Sequence, residues 1–376
     1  MPFWENLSVA DWAVWMRRTL ELAEAGRYGV SPNPMVGAVV LDAQGRVVGE
    51  GAHLRYGGPH AETVALAAAG AKARGGTLVV NLEPCVHFGH TPPCVDAILA
   101  AGVSRVVVGT TDPNPQVNGK GIATLREAGV EVILGVEEEA CRELNHRFLY
   151  FMSQGLPYVS LKMALTLDGK IAARGGKSRW ITSEASRRAG YALREEMDAV
   201  LVGVGTVLAD DPRLVRHLGL NPNPRLWRVV LDSHLRTPPA ATLLSHDPES
   251  VVVFCLQDAP LDRRRELEAK GARVVEVGDD GRGRVNLHAV LRELATRGVS
   301  SVLVEGGGEV HWSFFQEGLA RRLYAFLAPL VLGGREAVPA VGGSGFSAPQ
   351  EGVKLRFLRV SELSGDLSLV AEVVGV

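Results

Sequence analysis

The sequence predicts an α/β protein built as two layered domains, and three observations predict it. Up to about residue 150, short β-rich runs alternate with Ala/Leu-rich helical stretches. Near "FMSQGLPYVSLKMALTLDGKIA" the pattern is punctuated by Gly155 and Pro157 and restarts with a strand from Tyr158 to Ala164. Beyond that point strand and helix alternate again to the end. A 376-residue chain has room for two or three domains, each burying its own core. The boundary is set at about Gly155, giving one domain over 1–154 and a second over 155–376.

The elements follow in order. The opening "MPFWENLSVADWAVWMRRTLELAEAG" reads as an amphipathic helix, and its acids and bases exclude the uninterrupted apolar core of a signal peptide. "VGAVVLDAQGRVVGEGAH" reads as a hairpin around Ala43, Gln44 and Gly45, because two β-rich runs flank a turn-forming centre. A helix "AETVALAAAGAKARG", a strand "TLVVNL", a helix after Cys94, a strand "RVVVGTT", a further helix and a strand "VEVILG" complete a mixed sheet. In the second half "AVLVGVG", "RVVLDS", "SVVVFCL", "ARVVEVG", "SVLVEGGG" and "RRLYAFLAPLVLGG" are strands separated by helices, the pattern of a parallel-rich sheet. No repeat period is present.

Composition narrows the function. The formal charge is -2 and no stripe of Lys or Arg occurs, so an electrostatic grip on nucleic acid or an anionic membrane is not supported. No stretch reaches the length of apolar sequence that a spanning helix needs. A cytoplasmic protein acting on small molecules is expected, with a homo-oligomer as its assembly. In a reducing compartment the four cysteines are core thiols or ligands rather than disulfides. Cys141 on a helix and Cys255 at a strand end are expected in the core.

Cys85 and Cys94 are different. They lie in "NLEPCVHFGHTPPC", each after a proline and each expected at a helix start, where aligned backbone N–H groups favour a thiolate. Upstream stands "HAE", with His60 and Glu62 at the mouth of the Ala-rich helix. A zinc-dependent hydrolytic deaminase needs three protein ligands, an open position for water and a carboxylate that is not a ligand. His60, Cys85 and Cys94 can supply the first, and Glu62 the proton carrier. Taken singly, a His-x-Glu is common and two cysteines nine apart are ordinary core. The combination carries the assignment. The usual deaminase signature places two residues between its cysteines, whereas eight intervene here.

That long spacing belongs to a subfamily. "HAE" and "LEPCVHFGHTPPC", with "SPNPMVGAVV" before and "DPNPQVNGKG" after, closely resemble the bifunctional riboflavin-biosynthesis deaminase/reductase family, over nearly the whole chain. The resemblance implies a cytidine-deaminase-like three-layer α/β/α domain with one zinc per chain. Its substrate would be 2,5-diamino-6-(5-phosphoribosylamino)pyrimidin-4(3H)-one, losing its 2-amino group as ammonia. Asn33, His53, Asp112 and Asn114 sit at family substrate positions, although Asn and Asp beside Pro also favour turns. His90 stands where many members have Lys or Arg, and a substrate phosphate held there would be gripped in a pH-dependent way.

In the second half, Gly203 and Gly205 follow a strand, but Leu208 occupies the third position of a G-x-G-x-x-G loop, so no ordinary dinucleotide fingerprint is present. "SVLVEGGGEVHWSFF" runs from a strand through three glycines into a helix, which lets a pyrophosphate approach backbone N–H groups. A tight turn would also explain the glycines. "LKMALTLDGKIA", "SRWITSEASRRAGYALREEMDAVLVGVGTVLADDPRL", "VVLDSHLRTP" and "LVEGGGEVHWSFFQEGLA" resemble the family's reductase domain, which implies a dihydrofolate-reductase-like α/β fold using NADPH. By position, Ala164, Trp180, Thr206, Asp210, Ser233, Gly307 and Gly308 would touch the cofactor. Ser178, Arg194, Leu214, Arg216 and Glu305 would touch the substrate, Arg216 coming one residue early relative to the family's "PRLTVR". Lys162 is the polar group expected nearest the reacting carbon. Asp232 at a strand end would suggest a ribose hydroxyl and NAD in a Rossmann protein, or simply a turn cap. In this fold Ser233 with Arg236 can accept a 2'-phosphate, and NADPH is retained.

Two rivals come from other classes. A nucleic-acid base deaminase is opposed by the charge balance and the separate cofactor domain. A structural zinc module is opposed by Glu62, since a structural site uses four protein ligands and needs no neighbouring acid.

Overall fold

The computed structural model describes residues 9–89, 91–223 and 225–375. The chain divides into two compact units, Met1–Gly155 and Leu156–Val376.

In the first unit the elements run α1 (Val9–Ala23), β1 (Gly37–Leu41), β2 (Val47–Ala52), α2 (Ala61–Ala69), β3 (Thr77–Leu82), α3 (Cys94–Ala101), β4 (Arg105–Thr110), α4 (Lys120–Glu127), β5 (Glu131–Leu134), α5 (Glu138–Leu144) and α6 (His146–Gln154). The sheet order is β2-β1-β3-β4-β5. β1 pairs antiparallel with β2 and β3, while β3, β4 and β5 run parallel. The hairpin turn is tied by Asp42, whose carboxylate accepts the Gln44 and Arg46 N–H groups.

Alternation along the strands makes two cores. Ala38, Val40, Leu78, Val80, Val106 and Val108 face one side, with Ala65 of α2, Ile98 of α3, Leu125 of α4 and Phe148 of α6. Val39, Leu41, Val79 and Val107 face the other, with Trp12 and Met16 of α1 and Cys141 of α5. The result is a three-layer α/β/α unit. Glycines on β2 let α2 lie close: a Cβ at Gly49 or Gly51 would come within 2.2 Å of the Ala65 carbonyl or 2.3 Å of the Ala61 carbonyl. Gly155, in the left-handed region at φ 65°, ends α6 and closes the unit.

The second unit runs β6 (Tyr158–Thr166), β7 (Lys170–Ala172), α7 (Glu184–Glu196), β8 (Ala199–Gly203), α8 (Val204–Asp210), β9 (Trp227–Leu231), β10 (Val251–Cys255), α9 (Leu261–Ala269), β11 (Arg273–Glu276), α10 (Leu287–Thr296), β12 (Ser301–Gly306), α11 (Gly308–Gln316), β13 (Arg322–Ala328), β14 (Val338–Pro339), β15 (Lys354–Leu363) and β16 (Asp366–Val374). Nine strands form one sheet in the order β11-β10-β9-β8-β12-β6-β13-β16-β15. From β11 to β13 every pairing is parallel, and β16 and β15 add an antiparallel edge. β7 and β14 form a separate antiparallel pair. The parallel strands are apolar on both faces, as strands covered by helices must be. Val159, Leu161, Leu201 and Val229 pack with Leu291 and Leu294 of α10. Val200, Val202, Val230 and Val253 pack on the other side with Leu267 of α9.

Candidate active sites

The first site lies at the end of β3. His60 caps α2 from an extended conformation, and Glu62 enters the first turn as a buried side chain. The Nδ1 atom of His60 lies 3.2 Å from Cys94 Sγ and 3.6 Å from Cys85 Sγ. The three donor atoms all lie within 4.8 Å of one another, the only such cluster among the described residues.

Cys94 is the first residue of α3, as expected. Cys85 is not at a helix start: residues 83–86 form an irregular segment after β3. Its thiol is served by the neighbouring helix instead, because Cys94 N–H donates to Cys85 Sγ at 3.4 Å and Val95 N–H donates to the Cys85 carbonyl. One helix N-terminus therefore carries one sulfur and supports the other. The Cys94 thiol donating to Cys85 is the largest influence on Cys85 and pulls its pKa well below the ordinary thiol value, while the same contact raises Cys94. One imidazole and two thiols, one already disposed to ionise, are a donor set that fits zinc, one short of a closed structural site. Burial, reinforced by the charge of Cys85, raises the pKa of the Glu62 carboxyl.

His53 and Asn33 stand beside these groups. The His53 ring packs edge-on against His60 with centroids 5.3 Å apart. Its Nδ1 lies 2.9 Å from the Pro59 carbonyl, so it carries the proton, leaving Nε2 to accept from Asn33 Nδ2 at 3.1 Å. Burial, with the charge of His60, lowers the His53 pKa and keeps the ring neutral. Asp112 is buried, and burial with the nearby Glu83 charge pushes its carboxyl up to about 6. It accepts the Asn114 N–H at 2.8 Å, so turn chemistry and site placement coexist. His90 lies outside the described residues.

Three further residues were not singled out in the sequence. The buried amides of Asn81 and Asn145 hold the segment after Asn33 through Gly37 N–H, Met35 N–H and the Met35 carbonyl. Glu83 binds the loop bearing Asp112. A buried Asn or Glu with no local pattern gives no sequence signal for such tertiary bonds.

The second site gathers on β6, β12 and the end of α7. Arg194 and Glu305 form a two-pronged ion pair, Nη2 to Oε2 being 2.8 Å, with side chains only 11% and 10% exposed. Burial opposes ionisation of Glu305, but Arg194 holds its pKa below the ordinary value, helped by Lys162. Burial lowers the Lys162 pKa, partly offset by Glu305. The lysine stem runs past Gly190, where a Cβ would sit 3.2 Å from Lys162 Cε.

Gly307 adopts φ 68° and caps α11. A Cβ at Gly306 would come within 2.8 Å of Thr206 Oγ1, and one at Gly308 within 2.5 Å of the Pro339 carbonyl. Thr206 thus lies against the glycine turn at the N-terminus of α11, where the chain packs too closely on itself to admit side chains at Gly306 and Gly308. Ser178 Oγ donates to Asp210 Oδ1 at 3.4 Å, and the exposed Trp180 ring carries Arg187 4.3 Å from its centroid. Ala164 lies on β6 beside Phe326 of β13. Ser233 and Arg236 follow β9, half-buried and exposed respectively. Asp232 is buried and accepts the N–H and hydroxyl of Thr237, each at 2.7 Å, which is a turn cap.

Arg216 is engaged with its own loop. Its guanidinium donates to the carbonyls of Arg194, Met197, Asn223 and Arg225, so its donors already have backbone partners and the side chain braces the loop. The next residue, His217, packs on α7: its ring centroid lies 4.3 Å from that of Tyr191, and it feels the charges of Arg194 and Glu305. Leu214 is buried in the same loop at φ 53°.

A His/Cys/Cys cluster with a buried acid on a three-layer unit, followed by a parallel-sheet unit with a glycine turn at a helix N-terminus, defines a zinc-type deaminase domain joined to a reductase domain. Residues 11–110 match the cytidine and deoxycytidylate deaminase zinc-binding region, and residues 157–369 match the RibD C-terminal domain. The riboflavin biosynthesis protein RibD of Bacillus amyloliquefaciens is 41% identical over 357 residues, 95% of each chain. That of Aquifex aeolicus is 43% identical over 354 residues, 94% of this chain and 96% of its own. Among solved structures, Acinetobacter baumannii RibD, form 1, superposes with a TM-score of 0.87 at 36% identity, covering 98% of this chain and 100% of that one. A Thermotoga maritima structure described as a diaminohydroxyphosphoribosylaminopyrimidine deaminase/5-amino-6-(5-phosphoribosylamino)uracil reductase gives 0.82 at 36% identity, covering 97% and 99%.

The chain belongs to the RibD family. It is an enzyme of riboflavin biosynthesis, acting on small molecules, with a zinc-binding deaminase domain and a reductase domain of the type that uses NADPH. Among the described residues no helix is long and apolar enough to cross a membrane.

Proposed function

We propose that residues 1–154 deaminate 2,5-diamino-6-(5-phosphoribosylamino)pyrimidin-4(3H)-one and that residues 155–376 reduce the ribosyl side chain of the product to ribityl. The observation that carries the reading is a buried carboxylate, Glu62, in the electrostatic reach of a three-donor His/Cys/Cys cluster. His60, Cys85 and Cys94 would hold zinc, which when bound makes a water acidic enough to attack near neutral pH. Glu62 accepts a proton from the attacking water as its oxygen bonds to ring carbon 2. It returns a proton to the amino nitrogen as the carbon–nitrogen bond breaks and ammonia leaves. Asn33, His53, Asp112 and Asn114 orient the pyrimidine. His90 would meet its phosphate, a proposal resting on sequence alone.

In the reductase half, Ala164, Trp180, Thr206, Asp210, Ser233, Gly307 and Gly308 would hold NADPH, which supplies the hydride. Lys162 donates a proton to the ribose ring oxygen as the C1'–O4' bond breaks, the nitrogen lone pair forming an iminium at C1' that the hydride converts to the ribitylamine. Ser178, Arg194, Leu214 and Glu305 would meet the substrate, Glu305 lying within the electrostatic reach of Lys162. Arg216 braces the loop that would meet the substrate, and His217 beside it is a second polar group this loop would offer.

We also infer that the protein works in the cytoplasm, does not bind nucleic acid and self-associates. A formal charge of -2 and four free cysteines support the first two. The edge strand β15 supports the third, since Phe357 and Val360 are 63% and 58% exposed on it.

Elemental analysis and ammonia release together test the deaminase reading. The purified protein should hold one zinc per chain and release ammonia from the diamino substrate. Cys85→Ser and Cys94→Ser proteins that keep their fold should lose both. Unchanged zinc in either variant would remove that cysteine from the ligand set.

A further inference from the structure

Two buried carboxylates perform none of the roles assigned above. Glu83, 3% exposed, sits between β3 and the Pro84–Cys85 segment. Its Oε2 accepts N–H groups from Asp112 at 3.3 Å and Gly119 at 3.0 Å, and its Oε1 accepts from Gly121 at 2.9 Å and Ile122 at 3.2 Å. Glu195, fully buried in the last turn of α7, repeats the arrangement. Its Oε1 accepts from His217 at 3.1 Å and Leu218 at 2.8 Å, and its Oε2 from Leu220 and Asn221, each at 3.1 Å.

In each unit one carboxylate therefore gathers four backbone donors. The segments between β4 and α4 and between α8 and β9 hold no regular element, and Gly121 and Ile122 open α4, where first-turn N–H groups have no partner within the helix, so these donors need acceptors from elsewhere. An ionised carboxylate is the side chain best suited, because it only accepts and has about four lone-pair sites. Close approach is built in on the first side: a Cβ at Gly121 would lie 2.2 Å from the Pro84 carbonyl, so the first turn of α4, where this loop ends, is pressed onto the segment leading to Cys85.

What the two loops carry turns an anchoring device into a functional one. The first bears Asp112 and Asn114, and Asp112 lies close enough to feel the charge of Cys85. The second bears His217, which packs on Tyr191 in the field of Arg194 and Glu305. Glu195 is the chain neighbour of Arg194, so the end of α7 fixes the ion pair through one residue and the facing loop through the next.

We infer that Glu83 and Glu195 are positioning residues, one for each active site, holding the substrate-facing loop in register with the reacting groups. The inference rests on the bifunctional reading proposed above. A glutamine at either position keeps the shape but replaces one acceptor oxygen by a donor, so two of the four N–H groups lose their partner and the loop shifts. Misplacement of a binding group by about 1 Å can cost about a hundredfold in kcat/KM.

The two variants control for each other in the full-length chain. Glu83→Gln should raise the deaminase KM about tenfold or more, with a smaller fall in kcat. Zinc should stay at one per chain, and reductase kinetics on the already deaminated substrate should stay within about twofold. Glu195→Gln should do the reverse, raising the reductase KM and sparing ammonia release. Where a glutamine variant fails to fold, Glu83→Asp or Glu195→Asp is read by the same criteria. An unchanged KM with only a lowered melting temperature would reduce that carboxylate to scaffolding and overturn the inference for it. So would loss of zinc in a Glu83 variant, or a parallel fall of both activities in a folded variant. A parent protein lacking either activity would instead sink the bifunctional reading.

Discussion

Glu62→Gln is expected to abolish ammonia release, by about a thousandfold or more, while zinc content stays at one per chain. The amide has the shape and volume of the carboxyl, so the buried pocket at the start of α2 need not repack. It cannot accept the water's proton, however, and it cannot return one to the departing amine. A thousandfold loss corresponds to about 4 kcal/mol of transition-state stabilisation. The unaltered His60, Cys85 and Cys94 cluster keeps the metal, which separates this variant from a ligand variant. Reductase kinetics should match the parent, because no proposed reductase group lies in the first unit. Ammonia release within about tenfold of the parent would remove Glu62 from the chemistry.

Lys162→Met has the second largest expected effect, a fall in NADPH oxidation of about a hundredfold or more at saturating substrate. Methionine keeps most of the stem that passes Gly190 and leaves the Arg194–Glu305 pair intact. What is lost is the proton for the ribose ring oxygen. The pH profile carries a second signature. Burial lowers the Lys162 pKa, so the ammonium loses its proton at lower pH than an exposed lysine does. The parent rate should therefore fall on the alkaline side as the proton is lost, and Lys162→Met should lack that limb. A variant with the parent's rate and alkaline limb would show that the ring opens without this lysine.

The layered architecture was readable because burial on a sheet imposes a short period. β1 and β3 send alternate residues into two cores, and the strands of the second unit, covered on both faces, read as continuous apolar runs. The metal cluster was readable because its donor types are rare and fall at turns. Its local support was not, since Cys85 draws on the N-terminus of a helix nine residues later. The bracing within the loop after α8 was hidden for a related reason. Arg216 and His217 are adjacent, and only the folded loop decides that the arginine braces carbonyls while the histidine turns toward Tyr191. Glu83 and Glu195 were silent because a carboxylate that binds backbone N–H groups many residues away leaves no spacing to recognise.

The central claim is that one chain holds two separate, complete sites working in sequence. The most direct measurement follows ammonia and NADPH together on one preparation each of the parent and Glu62→Gln, given first the diamino substrate and then its deaminated product. The parent should release ammonia and oxidise NADPH with the diamino substrate. Glu62→Gln should do neither with that substrate, yet oxidise NADPH at the parent's rate with the deaminated compound. NADPH oxidation by Glu62→Gln on the diamino substrate without ammonia release would contradict the sequence of steps. Failure of both proteins on the deaminated compound would contradict the second site.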